Sequence, residues 1–139
     1  MKHFVLPVII LAVTLSMGTA CQNKKGPATA SGLKRVHFDF DSASIRPDMV
    51  AILDSNAKYI KKNAKLNIVV EGHCDERGTN EYNLALGDRR ASQTKSYLVK
   101  QGVSSKNLKT VSYGEEQPLE KGHSEASWYM NRRAEFVKQ

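Results

Sequence analysis

The sequence predicts a two-layer α/β sandwich in which a mixed sheet carries two long helices on one face. Three observations carry that prediction. Residues alternate apolar and polar with a period of two near positions 36–40, 66–71, 108–113 and 134–137, which is the pattern of half-buried strands. Between the first three of these runs lie two stretches whose apolar residues recur at three- and four-residue steps, so the order is βαβαβ with a closing strand. Right-handed crossovers between parallel strands then place both helices on the same side of the sheet. Finally, 139 residues with 40% hydrophobic content suit one compact domain and little more.

The elements follow in order. Val36, Phe38 and Phe40 alternate with His37 and Asp39 and end in the turn Asp41-Ser42-Ala43-Ser44. Pro47 suits a first helical turn. Met49, Ile52, Leu53, Ala57 and Ile60 form the apolar stripe of the first helix, with Asp54, Asn56, Lys58, Lys61 and Lys62 outside and the last two lysines against its negative end. Leu66, Ile68 and Val70 read as a strand ending near Gly72. A second helix starts from Thr79 or Asn80, either a good N-cap. It keeps Leu84, Ala91, Thr94 and Leu98 on its apolar side with Gly87 between, and stops at Gly102. Leu108 to Tyr113 is a strand ended by Gly114, Ser124 and Glu125 open a short helix through Asn131, and Ala134 to Val137 is the last strand.

Ahead of the domain, Met1 to Ala20 reads as a bacterial export signal: a basic Lys2, an apolar run from Phe4 to Leu15, then Gly18, Thr19 and Ala20 before Cys21. The run is short for a membrane span. Gly18-Thr19-Ala20 suits ordinary signal peptidase. Small residues directly before a cysteine equally resemble a lipobox, whose usual Leu is replaced here by Gly18, and the placement of Cys21 favours its acylation. No Asp follows Cys21, which resembles lipoproteins passed to the outer membrane. Residues 21–35 are then the lipidated cysteine and a polar tether, and 36–139 the domain. With Cys21 acylated, Cys74 is the one remaining thiol and no intramolecular disulfide forms.

The formal charge is +7, from 21 Lys and Arg against 14 Asp and Glu, which would suit a polyanionic partner. The lysines scatter over helices and tail without interleaved aromatics, and the export signal removes the chain from nucleic acid, so a solvated basic surface is the better account.

Glu71 to Ala91 (EGHCDERGTNEYNLALGDRRA) concentrates the chemistry. Gly72 and Gly78 bracket His73, Cys74, Asp75, Glu76 and Arg77 in a loop joining strand to helix. Arg90 lies about 15 Å along that helix at 1.5 Å per residue, so whether it meets Asp75 depends on how the loop folds back. His73, Cys74 and Asp75 are all zinc-ligand types, but consecutive side chains point in different directions and no tetrahedral set is visible. Cys74 as a nucleophile lacks a well-placed base, its neighbour His73 being badly situated for one.

This segment, with VHFDFD at 36–41, VSYGEEQP at 111–118 and NRRA at 131–134, closely resembles the OmpA-like family, in its branch of wall-binding lipoproteins, from about Val36 to Val137. The resemblance implies an OmpA-like sandwich that binds the peptidoglycan stem peptide, chiefly diaminopimelate, without catalysis or cofactor. By resemblance Asp75 receives the ligand's ammonium and Arg90 its carboxylate, which a planar guanidinium can hold with two parallel bonds. Phe40 and Asp41 match a first binding loop, and Thr79, Asn83 and Leu86 match the wall around the pair; Arg77 faces either ligand or a neighbouring glutamate. Read only as residues, Asp75 and Arg90 are equally a loop-to-helix salt bridge, Phe40 and Leu86 core, Asp41 a turn former and Thr79 a helix cap. The resemblance further implies an outer membrane held through the lipid, a Tol-system periplasmic partner (TolB) and a part in envelope constriction at division; a wall-binding lipoprotein outside the Tol system is the alternative.

Overall fold

The computed structural model describes Ala30 and residues 32–139. Expectations for Met1 to Ala20 and for Cys21 concern residues outside these. Four strands, β1 (Val36–His37), β2 (Ile68–His73), β3 (Leu108–Gly114) and β4 (Arg133–Lys138), form one sheet in the order β1-β4-β2-β3. β2 and β3 are parallel, while β4 runs antiparallel to both β2 and β1, giving the mixed sheet that was predicted. Helix α1 (Val50–Lys62) follows a 3-10 turn at Pro47–Met49, α2 (Asn80–Lys100) connects β2 to β3, and α3 (Glu125–Asn131) precedes β4. Among the described residues no helix is long and apolar enough to cross a membrane.

One core lies between the sheet and the two long helices. Val36, Ile68, Val70, Ala134 and Phe136 pack from the strands against Leu53, Ala57 and Ile60 of α1 and Ala91 and Leu98 of α2. Alternation along the strands puts the intervening Glu71, His73, Arg133 and Glu135 on the opposite face. α2 lies unusually close to β2: a Cβ built on Gly72 would sit 1.8 Å from the Gly87 carbonyl oxygen, so only glycine permits this approach. That closeness sets the depth at which Arg90, one turn further along, meets the end of β2.

Four expectations change. β1 holds two residues rather than running to Phe40, and Phe40 is 57% exposed. The ladder ends where the Phe38 amide donates to the Arg132 carbonyl; beyond it the Asp39 and Ser42 carbonyls turn inward to accept from Arg90. Asn56 is buried, because its side chain accepts from the Lys34 amide at 2.9 Å and donates to the Lys34 carbonyl at 2.7 Å. Leu84 is 40% exposed: the inner face of α2 is set by Asn83, Leu86, Gly87, Arg90, Ala91, Thr94 and Leu98, a register that includes two polar side chains. Lastly, the stretch assigned to the tether joins the packed body before Val36, since Ala30 and Leu33 are buried and the Ala30 amide donates to Phe136.

Candidate functional site

The loop after β2 is built by hydrogen bonds from its own ends. Gly78 takes a positive φ of 109° that returns the chain to α2, and Thr79 caps that helix by accepting from the Tyr82 amide at 3.2 Å. Asn83, in the first turn, is buried and its amide group donates to the carbonyls of Asp75 and Arg77, both at 3.2 Å, and to the Glu115 carboxylate at 2.8 Å. One side chain thereby ties the loop to the helix and to the segment after β3.

Above this frame opens a cleft of about 390 Å³. Phe40, Asp41, Asp75, Arg77, Thr79, Asn83, Leu86 and Arg90, the eight residues singled out from the sequence, all line it. Cys74, Gly78 and Tyr82 complete the wall. The Tyr82 hydroxyl donates to the Asp41 carboxylate, linking the two sides of the mouth. Asp41 itself sits at φ 51°, a left-handed turn conformation that Asp tolerates better than most side chains.

Asp75 and Arg90 share the cleft without pairing. Arg90 is fully buried and donates to three backbone carbonyls, those of Ser42 and His73 at 2.8 Å and of Asp39 at 3.0 Å. It staples the chain after β1 to the end of β2, using three of its five N–H groups. Burial lowers its pKa from the ordinary arginine value. Asp75 is also buried, and its partners are Arg77 and Arg132. Its Oδ1 accepts from the Arg77 amide and Nε, each at 3.1 Å, while Oδ2 accepts from Arg77 Nη2 at 2.8 Å and Arg132 Nη1 at 3.3 Å. Burial pushes the Asp75 carboxyl upward, but the bonds from Arg77 and Arg132 outweigh it and hold the group below the usual carboxylate range.

Arg77 has a second set of neighbours. Its guanidinium carbon lies 3.9 Å from the centre of the Phe40 ring and 4.1 Å from that of Trp128 in α3, so the cation is stacked between two aromatic rings while it grips Asp75. The Trp128 indole N–H donates to Glu76 at 2.9 Å, and the Arg132 guanidinium to Phe38 at 2.9 Å and Glu125 at 2.5 Å. Sequence reasoning left out Arg132, Trp128 and Tyr82. The NRRA motif held the signal for Arg132; nothing local in the sequence places α3 over the loop.

His73, Cys74 and Asp75 turn to three different partners. His73 Nε2 faces Glu71 at 3.4 Å on the far face of the sheet, the Cys74 thiol donates to the Asn83 carbonyl at 3.3 Å, and Asp75 holds its two arginines. Burial pushes the Cys74 thiol up to about 11, the opposite of an activated nucleophile. Glu71, His73 and Glu135 do bring one ligand atom each within 4.8 Å of one another. Arg35 and Arg133 already pair with Glu135, so the two carboxylates are balanced by guanidinium and a divalent cation would meet repulsion there.

The comparisons agree with this architecture. Residues 37–132 match the model of the OmpA family. The chain is 47% identical over 111 residues to a peptidoglycan-associated lipoprotein of Pseudomonas aeruginosa, covering 80% of this chain and 66% of that protein. It is 41% identical over 152 residues to the protein of the same name from Rhizobium meliloti, with 94% and 86% covered. The crystal structure of the peptidoglycan-associated lipoprotein from Burkholderia pseudomallei superposes with a TM-score of 0.74 at 45% identity, covering 76% of this chain and 90% of that one. The C-terminal domain of Helicobacter pylori MotB gives 0.72 at 26% identity, over 78% and 85%. This chain belongs to the OmpA family.

Proposed function

We propose that the domain binds the peptidoglycan stem peptide non-covalently in the cleft above α2, and that acylated Cys21 holds it to the outer membrane, making the protein a tether between membrane and wall. The observation that carries this reading is the convergence of all eight sequence-selected residues on one cleft that offers a buried carboxylate, guanidinium groups and an aromatic rim. A diaminopimelate end, with ammonium and carboxylate on one carbon, needs acceptors and donors a few ångströms apart. Asp75 supplies the acceptor, and Arg90, whose five N–H groups are not all taken by carbonyls, the donor. The relatives' name, peptidoglycan-associated lipoprotein, supports the wall as the partner, and no turnover is required of the cleft. Membership of a Tol system, with TolB as periplasmic partner and a part in division, belongs to the same proposal.

The test is sedimentation with purified sacculi. Full-length wild type is expected to co-sediment, and Asp75→Asn, which keeps shape and removes the anion, to lose at least about tenfold in bound fraction while remaining folded. Equal binding by the two would end the assignment. Soluble muropeptides released during the incubation would point instead to a hydrolase. Co-purification of a Tol-system protein separates the Tol reading from a wall-binding lipoprotein that acts alone.

A further inference from the structure

Both Asp75 oxygens are engaged by the protein's own cations, which leaves an incoming ammonium no free lone pair aimed at it. We infer that Phe40, Trp128 and Asp75 form a cation slot whose resident is Arg77, and that the ligand's cation enters by exchanging with it. For its ligand this inference rests on the wall-binding reading.

Three features of the geometry separate an exchangeable resident from a structural bridge. First, the slot has the make-up of a cation receptor: two aromatic faces 3.9 and 4.1 Å from the guanidinium carbon and a carboxylate closing the third side. Second, two of its three walls do not depend on the resident. Asp75 keeps Arg132 when Arg77 leaves, and Trp128 is held by its indole bond to Glu76. Third, the resident is mobile by construction. The Arg77 side chain is 31% exposed and sits two residues from Asp75 on a flexible arm, whereas Arg132 is 4% exposed and also bonded to the Phe38 carbonyl. Glu125, 3.9 Å from Arg77 and 66% exposed, offers a displaced guanidinium somewhere to go at the rim.

A resident that fills the slot about nine-tenths of the time lowers the apparent affinity of a competing ligand about tenfold. Arg77→Ala is therefore expected to bind a diaminopimelate-containing tetrapeptide muropeptide about tenfold more tightly than wild type by titration calorimetry. The slot is read independently with methylguanidinium, at constant ionic strength, through the fluorescence of Trp128, the single tryptophan of the chain. A saturable change is expected in Arg77→Ala, one about tenfold weaker in wild type, and none in the double variant Asp75→Asn/Arg77→Ala. Arg77→Gln, which keeps a hydrogen-bonding arm without the charge, replaces the alanine variant if thermal melting shows that the latter is unfolded. A folded variant that takes up no methylguanidinium, or that binds the muropeptide no better than wild type, overturns the inference. If neither wild type nor variant binds muropeptide, the wall-binding reading has failed and the methylguanidinium result alone decides the slot.

Discussion

The sheet carries a network of buried charge on each face, and the two are made of the same residue types. On the helix side of the β2 end, Asp75 meets Arg77 and Arg132 at the floor of a cleft. On the other face, Glu135 meets Arg35 and Arg133, with Glu71 and His73 beside them. The second network is the more deeply buried: Glu135 and His73 are fully enclosed, and His73 Nδ1, Arg133 Nε and Glu135 Oε2 find no hydrogen-bond partner among the described residues. None of its members lines the cleft. The difference teaches that a carboxylate between arginines becomes a binding site through two further properties, open volume beside it and one partner able to leave. Asp75 has both, whereas Glu135 is fully enclosed and its buried partner Arg133 is held by the carbonyls of Asn131 and Gln117.

The largest effect is expected where the two regions touch. Arg90 lines the cleft yet behaves like the closed network, because all its hydrogen bonds to backbone hold the fold together. Arg90→Ala leaves the buried His73 carbonyl and the part-buried Ser42 and Asp39 carbonyls unserved and is expected to cost roughly 4 kcal/mol in urea unfolding. A loss under about 1 kcal/mol would mean that the guanidinium serves ligand rather than architecture. Next comes Glu135→Gln, which removes the counter-charge of the buried Arg133 guanidinium and is expected to cost roughly 3 kcal/mol. Sacculus binding by the molecules that remain folded should be unchanged; lost binding at full stability would erase the distinction between the faces.

Acid sharpens the comparison further. Burial, then Arg133 and Arg35, lower the His73 pKa to about 3, so the folded protein keeps this ring neutral while the unfolded chain protonates it from about pH 6.5 downward. A depressed folded value gives stability that is present above the unfolded pKa and lost as pH falls, amounting to about 3 kcal/mol by pH 4. Glu71 has the opposite sign. Burial and Glu135 raise its pKa, so its contribution is present below the ordinary carboxylate range and fades as pH rises through its folded value, offsetting part of the histidine loss. Asp75, held low, matters only below about pH 4. His73→Gln, which carries no titrating ring, should therefore gain on wild type in unfolding midpoint between pH 6.5 and pH 4; a constant difference would mean that His73 is not kept neutral.

How much of this could be read from the sequence follows from the range of the interactions. Element starts and stops were legible because caps and glycines act within a turn: Thr79 and Gly102 flank α2, and Gly114 ends β3. The cleft residues were legible because a resemblance names positions. Their pairing was not, since the second arginine on Asp75 is Arg132, between α3 and β4 and more than fifty residues away along the chain. Phe40 and Leu84 were misplaced for a related reason: apolar periodicity cannot register that Arg90 draws two carbonyls out of the strand register, or that Asn83 and Arg90 take the inner face of α2.

The smallest effect tests the exchangeable partner itself. Phe40 is 57% exposed and its stacking on Arg77 is an exposed cation–π contact, so Phe40→Ala is expected to lower stability by about 0.5 kcal/mol. Global unfolding would barely register it. The Arg77 Nε–H should, because that proton is held on Asp75 Oδ1 while the ring above shields it from water. Faster solvent exchange of this proton in Phe40→Ala, with the Arg132 Nε–H on the Phe38 carbonyl unchanged, is the expected result. An Arg77 rate unchanged by Phe40→Ala would show that Asp75 alone fixes Arg77, and the cleft would then be as closed a network as the one behind it.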